Sequence, residues 1–156
     1  MVRCDLSLII TDLTEYFQTM LQEQNIILKH EIEKDIFVYG EKQQITEVVM
    51  NLMGNAMKYM GPIERSKKRE ISMILAKEAG QAKLNIIDTG MGIDPLDLPN
   101  IFDRFYRVVR DQNKAISGTG LGLAICKKII EKHNGTINAE SELNLGTTFS
   151  IILPLI

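Results

Sequence analysis

The stretch Asn51-Leu-Met-Gly-Asn55-Ala-Met-Lys58-Tyr59 decides how the rest of the chain is read. Residues three, four and seven apart share a helical face, so Asn51, Asn55 and Lys58 line up on one side, with Glu47 one turn before them. Ile45, Val48, Val49, Leu52, Met53 and Ala56 make the opposite, apolar stripe. The pattern predicts a helix over 41–59, stopped by Gly61-Pro62. A solvated face would explain one polar stripe. Asparagine, however, is a mediocre helix former, and two at i, i+4 need a reason. An amide oxygen is a hard neutral ligand that suits Mg²⁺, and a lysine one turn on suits phosphate.

Downstream, Leu84-Asn-Ile-Ile-Asp88-Thr-Gly-Met-Gly-Ile93 is an apolar strand that ends in an acid. An ionised Asp accepts hydrogen bonds, which fits an exocyclic amine, and the glycines at 90 and 92 let backbone approach a ring. Alone, this is also an ordinary strand-to-turn junction. Asp-Thr-Gly is moreover the triplet of aspartic proteases, but those are almost wholly β, and this chain has three helical patterns.

A second glycine turn, Gly118-Thr-Gly-Leu-Gly-Leu123, opens a helix. Helix N-termini expose N–H groups and attract anions. The spacing fits neither the dinucleotide fingerprint nor the phosphate loop ending in Gly-Lys-Ser/Thr. Between the two turns runs a long connection from Thr89 to Gly118. A connection of that length inside a compact domain is usually functional. It holds Phe102-Asp-Arg-Phe-Tyr-Arg107. Its aromatics can clamp a lid to the core, and Arg104, Arg107 and Arg110 can offer planar forks to a phosphate.

The 156 residues suit one domain, 1–156, burying about two-thirds of its unfolded surface. A net charge of −2 gives no general attraction to nucleic acid or anionic membrane. No apolar run reaches bilayer length. Cys4 and Cys126, far apart in sequence, read as free packing thiols. Further elements follow from periodicity: a helix over 11–24 capped by Thr11 or Asp12, strands over 26–33 and 36–39, and strands over 71–77 and 83–88 joined at Gly80-Gln81. A short helix is expected over 98–107, a helix over 120–133 burying Leu121, Ala124, Ile125, Ile129 and Ile130, and strands over 136–141 and 147–153. Strands and helices do not alternate strictly, so the class is α/β with a mixed sheet, not a doubly wound parallel one.

Taken in order, these segments resemble the ATP-binding catalytic domain of two-component sensor histidine kinases. Asn51 to Tyr59 is similar to its asparagine box, Asp88 to Gly92 to its first glycine box, Phe102 to Arg107 to its phenylalanine box, and Gly118 to Ile125 to its second glycine box. Gly146-Thr-Thr-Phe149 also fits. The resemblance covers nearly the whole chain. It implies the Bergerat two-layer sandwich, a mixed β-sheet against about three helices, with a long ATP lid. It implies Mg-ATP as the ligand, Asn55 on the Mg²⁺, and Asn51, Lys58 and Arg107 as the catalytic set. Tyr59 would lie against the nucleotide. Asp88 would take the adenine amine, helped through water by Thr147. Gly90, Gly92, Ile93, Gly118, Thr119, Gly120, Leu121 and Gly122 would complete the nucleotide contacts.

Hydrolysing members of that superfamily carry a Glu four residues before the metal-binding Asn. Here that residue is Asn51, and an amide is no general base, so phosphoryl transfer to a histidine is favoured over attack by water. The only histidines, His30 and His133, sit in a strand pattern and at a helix end. The acceptor is therefore expected on histidine-bearing dimerisation helices outside this sequence. A response regulator would be the downstream partner, with neither nucleic acid nor membrane touched by this domain. The implied setting is a cytoplasmic domain of a parent that a membrane segment can anchor. The alternative is an ATP-binding interaction module without kinase turnover.

Overall fold

A computed structural model describes residues 1–63, 67–106 and 122–156. Strand β1 (Val2–Asp5) runs directly into helix α1 (Leu6–Glu23). Strands β2 (Ile27–Ile32) and β3 (Phe37–Gly40) precede helix α2 (Lys42–Lys58). The hairpin β4 (Glu70–Glu78) and β5 (Gln81–Asp88) follows, then a single 3-10 turn at Leu98–Asn100. Helix α3 (Gly122–Lys132) leads into β6 (Thr136–Glu142) and β7 (Gly146–Pro154). Five strands form one sheet in the order β2-β4-β5-β7-β6, while β1 and β3 pair by themselves. Only β2 and β4 run parallel in the larger sheet; the other neighbours are antiparallel. The three helices pack on this mixed sheet, as the sequence predicts.

Alternation along the strands explains the layering. Ile71, Met73 and Leu75 on β4, Ala82, Leu84 and Ile86 on β5, and Phe149, Ile151 and Leu153 on β7 are all buried. Their period of two puts them on one face. From the other side α1 contributes Ile10, Phe17 and Leu21, and α2 contributes Val48, Val49, Leu52 and Met53, to the same core. The period-two stripe on β5 continues to Asp88, which is why a carboxylate comes to lie on the covered face.

Several boundaries differ from the sequence reading. Helix α1 begins five residues early, because Asp5 caps it: its Oδ1 accepts from the Leu8 N–H at 3.0 Å. Leu6, Ile9, Ile10 and Leu13 continue the buried stripe backwards. Thr11 lies inside the helix, its hydroxyl donating to the Ser7 carbonyl. Tyr16 is 54% exposed and rests edge-on against Phe17. The β4–β5 turn is Ala79-Gly80, one residue before Gly80-Gln81. Both have positive φ, the geometry of a two-residue hairpin, with Glu78 paired to Gln81. Of the helix expected over 98–107, the described residues 98–106 form a 3-10 turn at Leu98–Asn100 and no helix longer than that. On α3 the buried residues are Cys126 and Ile130, whereas Ile125 is 39% exposed. Apolar residue type misled there: the thiol sits in phase with the core and Ile125 does not.

Both candidate histidines have settled roles or surroundings. His30 is exposed on β2. His133 is buried. Its Nε2 accepts from the Glu41 N–H at 3.1 Å, and its Nδ1 donates to the Ile129 carbonyl at 2.8 Å. A Cβ at Gly40 would meet the His133 ring at 2.8 Å. The imidazole thus joins the start of α2 to the end of α3, with neither nitrogen left to receive a phosphoryl group.

Replacing Asp5 with Ala leaves the first turn of α1 uncapped. The expected loss is about 1 kcal/mol of unfolding free energy, read by urea denaturation at unchanged m-value.

Candidate functional site

Asp88 ends β5 on the core side, directly opposite Thr147 of β7 in the strand register. Both are 7% exposed. The carboxylate accepts from the Gly90 N–H at 2.8 Å and from the Thr147 backbone N–H. Burial pushes its pKa up to about 6 from 3.8. The two N–H donors and the charge of Lys67 oppose that rise without cancelling it. At neutral pH Asp88 is thus largely ionised yet underhydrated, and it has lone pairs beyond the two already used.

Glycines make the surrounding backbone fit. At Gly146, with φ +140°, a Cβ would lie 1.9 Å from the Asp88 carbonyl oxygen. At Gly92, with φ +73°, it would lie 2.2 Å from the Glu142 carbonyl. At Gly90 it would strike the Tyr59 carbonyl at 2.5 Å. The first glycine turn is therefore pressed between the end of α2 and the β6–β7 hairpin. Hydrogen bonds hold it on both sides. The Met91 N–H donates to the Tyr59 carbonyl at 2.9 Å, the Asn144 N–H to the Met91 carbonyl at 2.7 Å, and the Ile93 N–H to Ser141 Oγ at 2.7 Å. Lys67 adds its ammonium to the Gly90 carbonyl at 3.1 Å.

Helix α2 supplies the other wall. Asn51 and Asn55 are half-buried, whereas Glu47 and Lys58 are exposed. Lys58 Nζ lies 5.6 Å from the centre of the Tyr59 ring. The Asn51 amide oxygen sits 3.4 Å from where a Cβ of Gly122 would stand, so Asn51 faces the first residue of α3. One helix therefore touches the Asp88 turn at its C-terminal end and α3 midway along its length, about 12 Å apart at 1.5 Å per residue. Asn51, Asn55, Lys58, Tyr59, Asp88, Gly90, Gly92, Ile93, Gly122 and Thr147 all belong to this region. Arg107, Arg110, Gly118, Thr119, Gly120 and Leu121 lie outside the described residues.

Among the described residues no group of three or more His, Cys, Asp or Glu side chains could hold a metal ion. A neutral amide set such as Asn51 and Asn55 fits a Mg²⁺ that keeps its waters and takes its other ligands from phosphate. Of the aromatics, Phe102 packs edge-on against Phe149 of β7 at 6.2 Å. Phe105 is 65% exposed, with the Arg104 guanidinium 5.4 Å from its ring centre. The Tyr106 hydroxyl donates to the buried carboxylate of Asp97, which raises the phenol pKa. Sequence reading passed over Lys67 and Ser141. The alternation of β6 offered a signal for Ser141, since it pairs with Thr147 and shares its face.

A mixed sheet under three helices, with a recessed acceptor at a strand end and glycine backbone packed around it, is the two-layer sandwich that the resemblance implies. The family model described as "Histidine kinase-, DNA gyrase B-, and HSP90-like ATPase" matches residues 40–156, three-quarters of the chain. The chain belongs to that family. Within it, the chain is 38% identical to the sensor protein RprX of Bacteroides fragilis over 161 aligned positions, covering 100% of this chain and 30% of that one. It is 36% identical to the sensor histidine kinase RppB of Synechocystis, covering 97% and 33%. The chain thus spans about a third of the length of these relatives. Among solved structures it is similar to a mycobacterial sensor histidine kinase, MprB, with TM-score 0.81 and 26% identity over 98% of this chain and 97% of the other. The nucleotide-free catalytic domain of the histidine kinase ThkA gives TM-score 0.81 and 26% identity over 98% and 96%.

Because burial raises the Asp88 pKa, its protonated form contributes stability that is complete below pH 3.8 and lost as pH rises through about 6. Asp88→Asn carries no such charge. Its stability relative to wild type should grow between pH 4 and pH 7.5, by roughly 1–3 kcal/mol, in urea titrations without nucleotide. Gly146→Ala, by contrast, should cost about 2 kcal/mol or more at every pH, since strand β7 must move off Asp88.

Proposed function

We propose that this domain binds Mg-ATP and presents its γ-phosphate to a histidine carried on separate dimerisation helices, as part of two-component signalling with a response regulator downstream. The observation that carries the reading is Asp88: an underhydrated acceptor fixed by the Gly90 and Thr147 N–H groups, with the charge of Lys67 offsetting only part of the effect of burial. A carboxylate kept this way gains by accepting from a neutral amine, which the 6-amino group of adenine provides. Gly90 and Gly92 let the turn pack closely between the end of α2 and the β6–β7 hairpin beside Asp88, and Tyr59 and Ile93 would flank the base.

Phosphates would then extend along α2 toward the start of α3, where Gly118, Thr119, Gly120, Leu121 and Gly122 supply backbone donors. Asn55 would hold the Mg²⁺, with Asn51 beside it. Bound there, the ion would neutralise triphosphate charge. Lys58 and Arg107 would take up the charge that remains on the transferring group. Asn51 has no basic oxygen with which to deprotonate water, so the domain holds ATP without hydrolysing it quickly. An imidazole needs no such base.

Two features of the chain support an external acceptor. The nitrogens of His133 are both occupied, and His30 lies on β2, the sheet edge farthest in strand order from β6. None of the helices among the described residues is long and apolar enough to cross a membrane. Placement in the cytoplasm, under a parent that a membrane segment can anchor, follows from the need for ATP and a response regulator. The whole of 1–156 would act as one catalytic domain.

Asp88→Asn should weaken ATP binding at least tenfold in calorimetry while leaving the protein folded. Labelled ATP supplied with a histidine-bearing helical partner should give acid-labile phosphate on that partner, and Asn55→Ala should abolish it. ATP affinity unchanged by Asp88→Asn would refute the adenine assignment. Absence of acid-labile phosphate despite tight ATP binding would leave an interaction module instead.

A further inference from the structure

Ser141 is a hydroxyl with three partners, and counting protons among them fixes the direction of a neighbouring bond. Its Oγ lies 2.7 Å from the Ile93 nitrogen, 2.9 Å from the Gly146 carbonyl oxygen and 2.8 Å from Thr147 Oγ1. A backbone N–H can only donate, so Ser141 accepts from Ile93. A carbonyl oxygen can only accept, so Ser141 donates its single proton to Gly146. A hydroxyl has one proton and two lone pairs. The remaining lone pair of Ser141 therefore faces Thr147, and at 2.8 Å a proton must lie between the two oxygens. That proton belongs to Thr147.

The consequence lies on the other side of Thr147. Its only proton is committed to Ser141, so the hydroxyl has nothing but lone pairs to offer elsewhere. Thr147 is also the cross-strand partner of Asp88, on the same covered face. Side chains so paired are close enough to act together on one ligand. Asp88 is likewise an acceptor when ionised. The two side chains make a wall of acceptors with no donor in it.

We propose that Ser141 is a specificity-determining positioning residue: by holding the Thr147 hydroxyl as an acceptor, it makes the site select 6-amino over 6-oxo purine nucleotides. This rests on the reading of Asp88 and Thr147 as the base-recognising pair. A 6-amino group presents two N–H donors and can satisfy both acceptors directly. A 6-oxo purine sets carbonyl lone pairs against these acceptors; its N1–H can reach one of them, so at least one buried acceptor stays unpaired, which is how polar sites reject analogues strongly. Remove the Ser141 hydroxyl, and Thr147 is free to rotate its proton toward a 6-oxo oxygen.

The test is calorimetric affinity of the whole chain for Mg-ATP and for Mg-ITP, whose hypoxanthine replaces the 6-amino group with an oxo group and carries a proton on N1, without adding a 2-amino group. Wild type should prefer ATP. Ser141→Ala should tighten ITP binding in absolute terms while weakening ATP, narrowing the preference about tenfold. A misfolded or loosened site cannot gain affinity for ITP, so this outcome is not reachable by structural damage. Adding Thr147→Val to Ser141→Ala should erase the ITP gain, and Ser141→Thr, which keeps the hydroxyl, should retain the wild-type preference. Equal weakening of both nucleotides by Ser141→Ala, or an ITP gain that survives Thr147→Val, would overturn the role of Ser141 while leaving Asp88 recognition intact. A wild-type protein that does not distinguish ATP from ITP would overturn the base-recognising pair itself, and this inference with it.

Discussion

The architecture depends on one close approach, that of the β7 start to the β5 end. Gly146 lies so near the Asp88 carbonyl that no side chain fits between them. Because the strands meet there, Thr147 stands opposite Asp88, its N–H reaches the carboxylate, and the β6–β7 hairpin can grip the first glycine turn through Ser141 and Asn144. Widening that contact would pull apart the three backbone segments around the acid. The site is thus a property of strand register before it is a property of any side chain.

A charged group at the end of an apolar stripe is costly, and the cost is informative. The inward positions of β5 are Ala82, Leu84, Ile86 and Asp88. A fourth apolar residue would pack there with less penalty. Burial raises the Asp88 pKa, and the fold offsets only part of this with two N–H donors. Stability is given up at this position, and a buried carboxylate with lone pairs to spare is a pattern common to functional sites.

Much of this was legible in the sequence because helix and strand periods are strong signals. The amide face of α2, the strand leading to Asp88 and the fold class all follow from spacing. What escaped notice has physical reasons. Strand β1 is four residues long and has no alternation of its own beyond Cys4; its partner β3 makes it a strand. The start of α1 is hard to read because the β-branched Ile9 and Ile10 suit a strand as well as a helix, and the cap, Asp5, lies four residues before Ile9. Ile125 and Cys126 are adjacent, so a phase error of one residue exchanged exposed for buried. Ser141 gave the weakest signal: one small polar residue near a turn looks like any other, and its three partners come from 48, 5 and 6 residues away.

The buried thiol on α3 has a consequence of another kind. Cys126 is fully enclosed, donates to the Val48 carbonyl, and has its pKa pushed up to about 12 by burial and by the negative charge of Glu47, with only the Asn51 amide among side chains opposing the shift. Sulfur chemistry requires the thiolate and an open path to it, and Cys126 has neither. Although it adjoins the amide face, it should be inert to peroxide and to disulfide exchange while folded. Cys4, buried beneath the β1–β3 ribbon, is shielded as well. Oxidative stress would therefore have no direct grip on these 156 residues through their two cysteines.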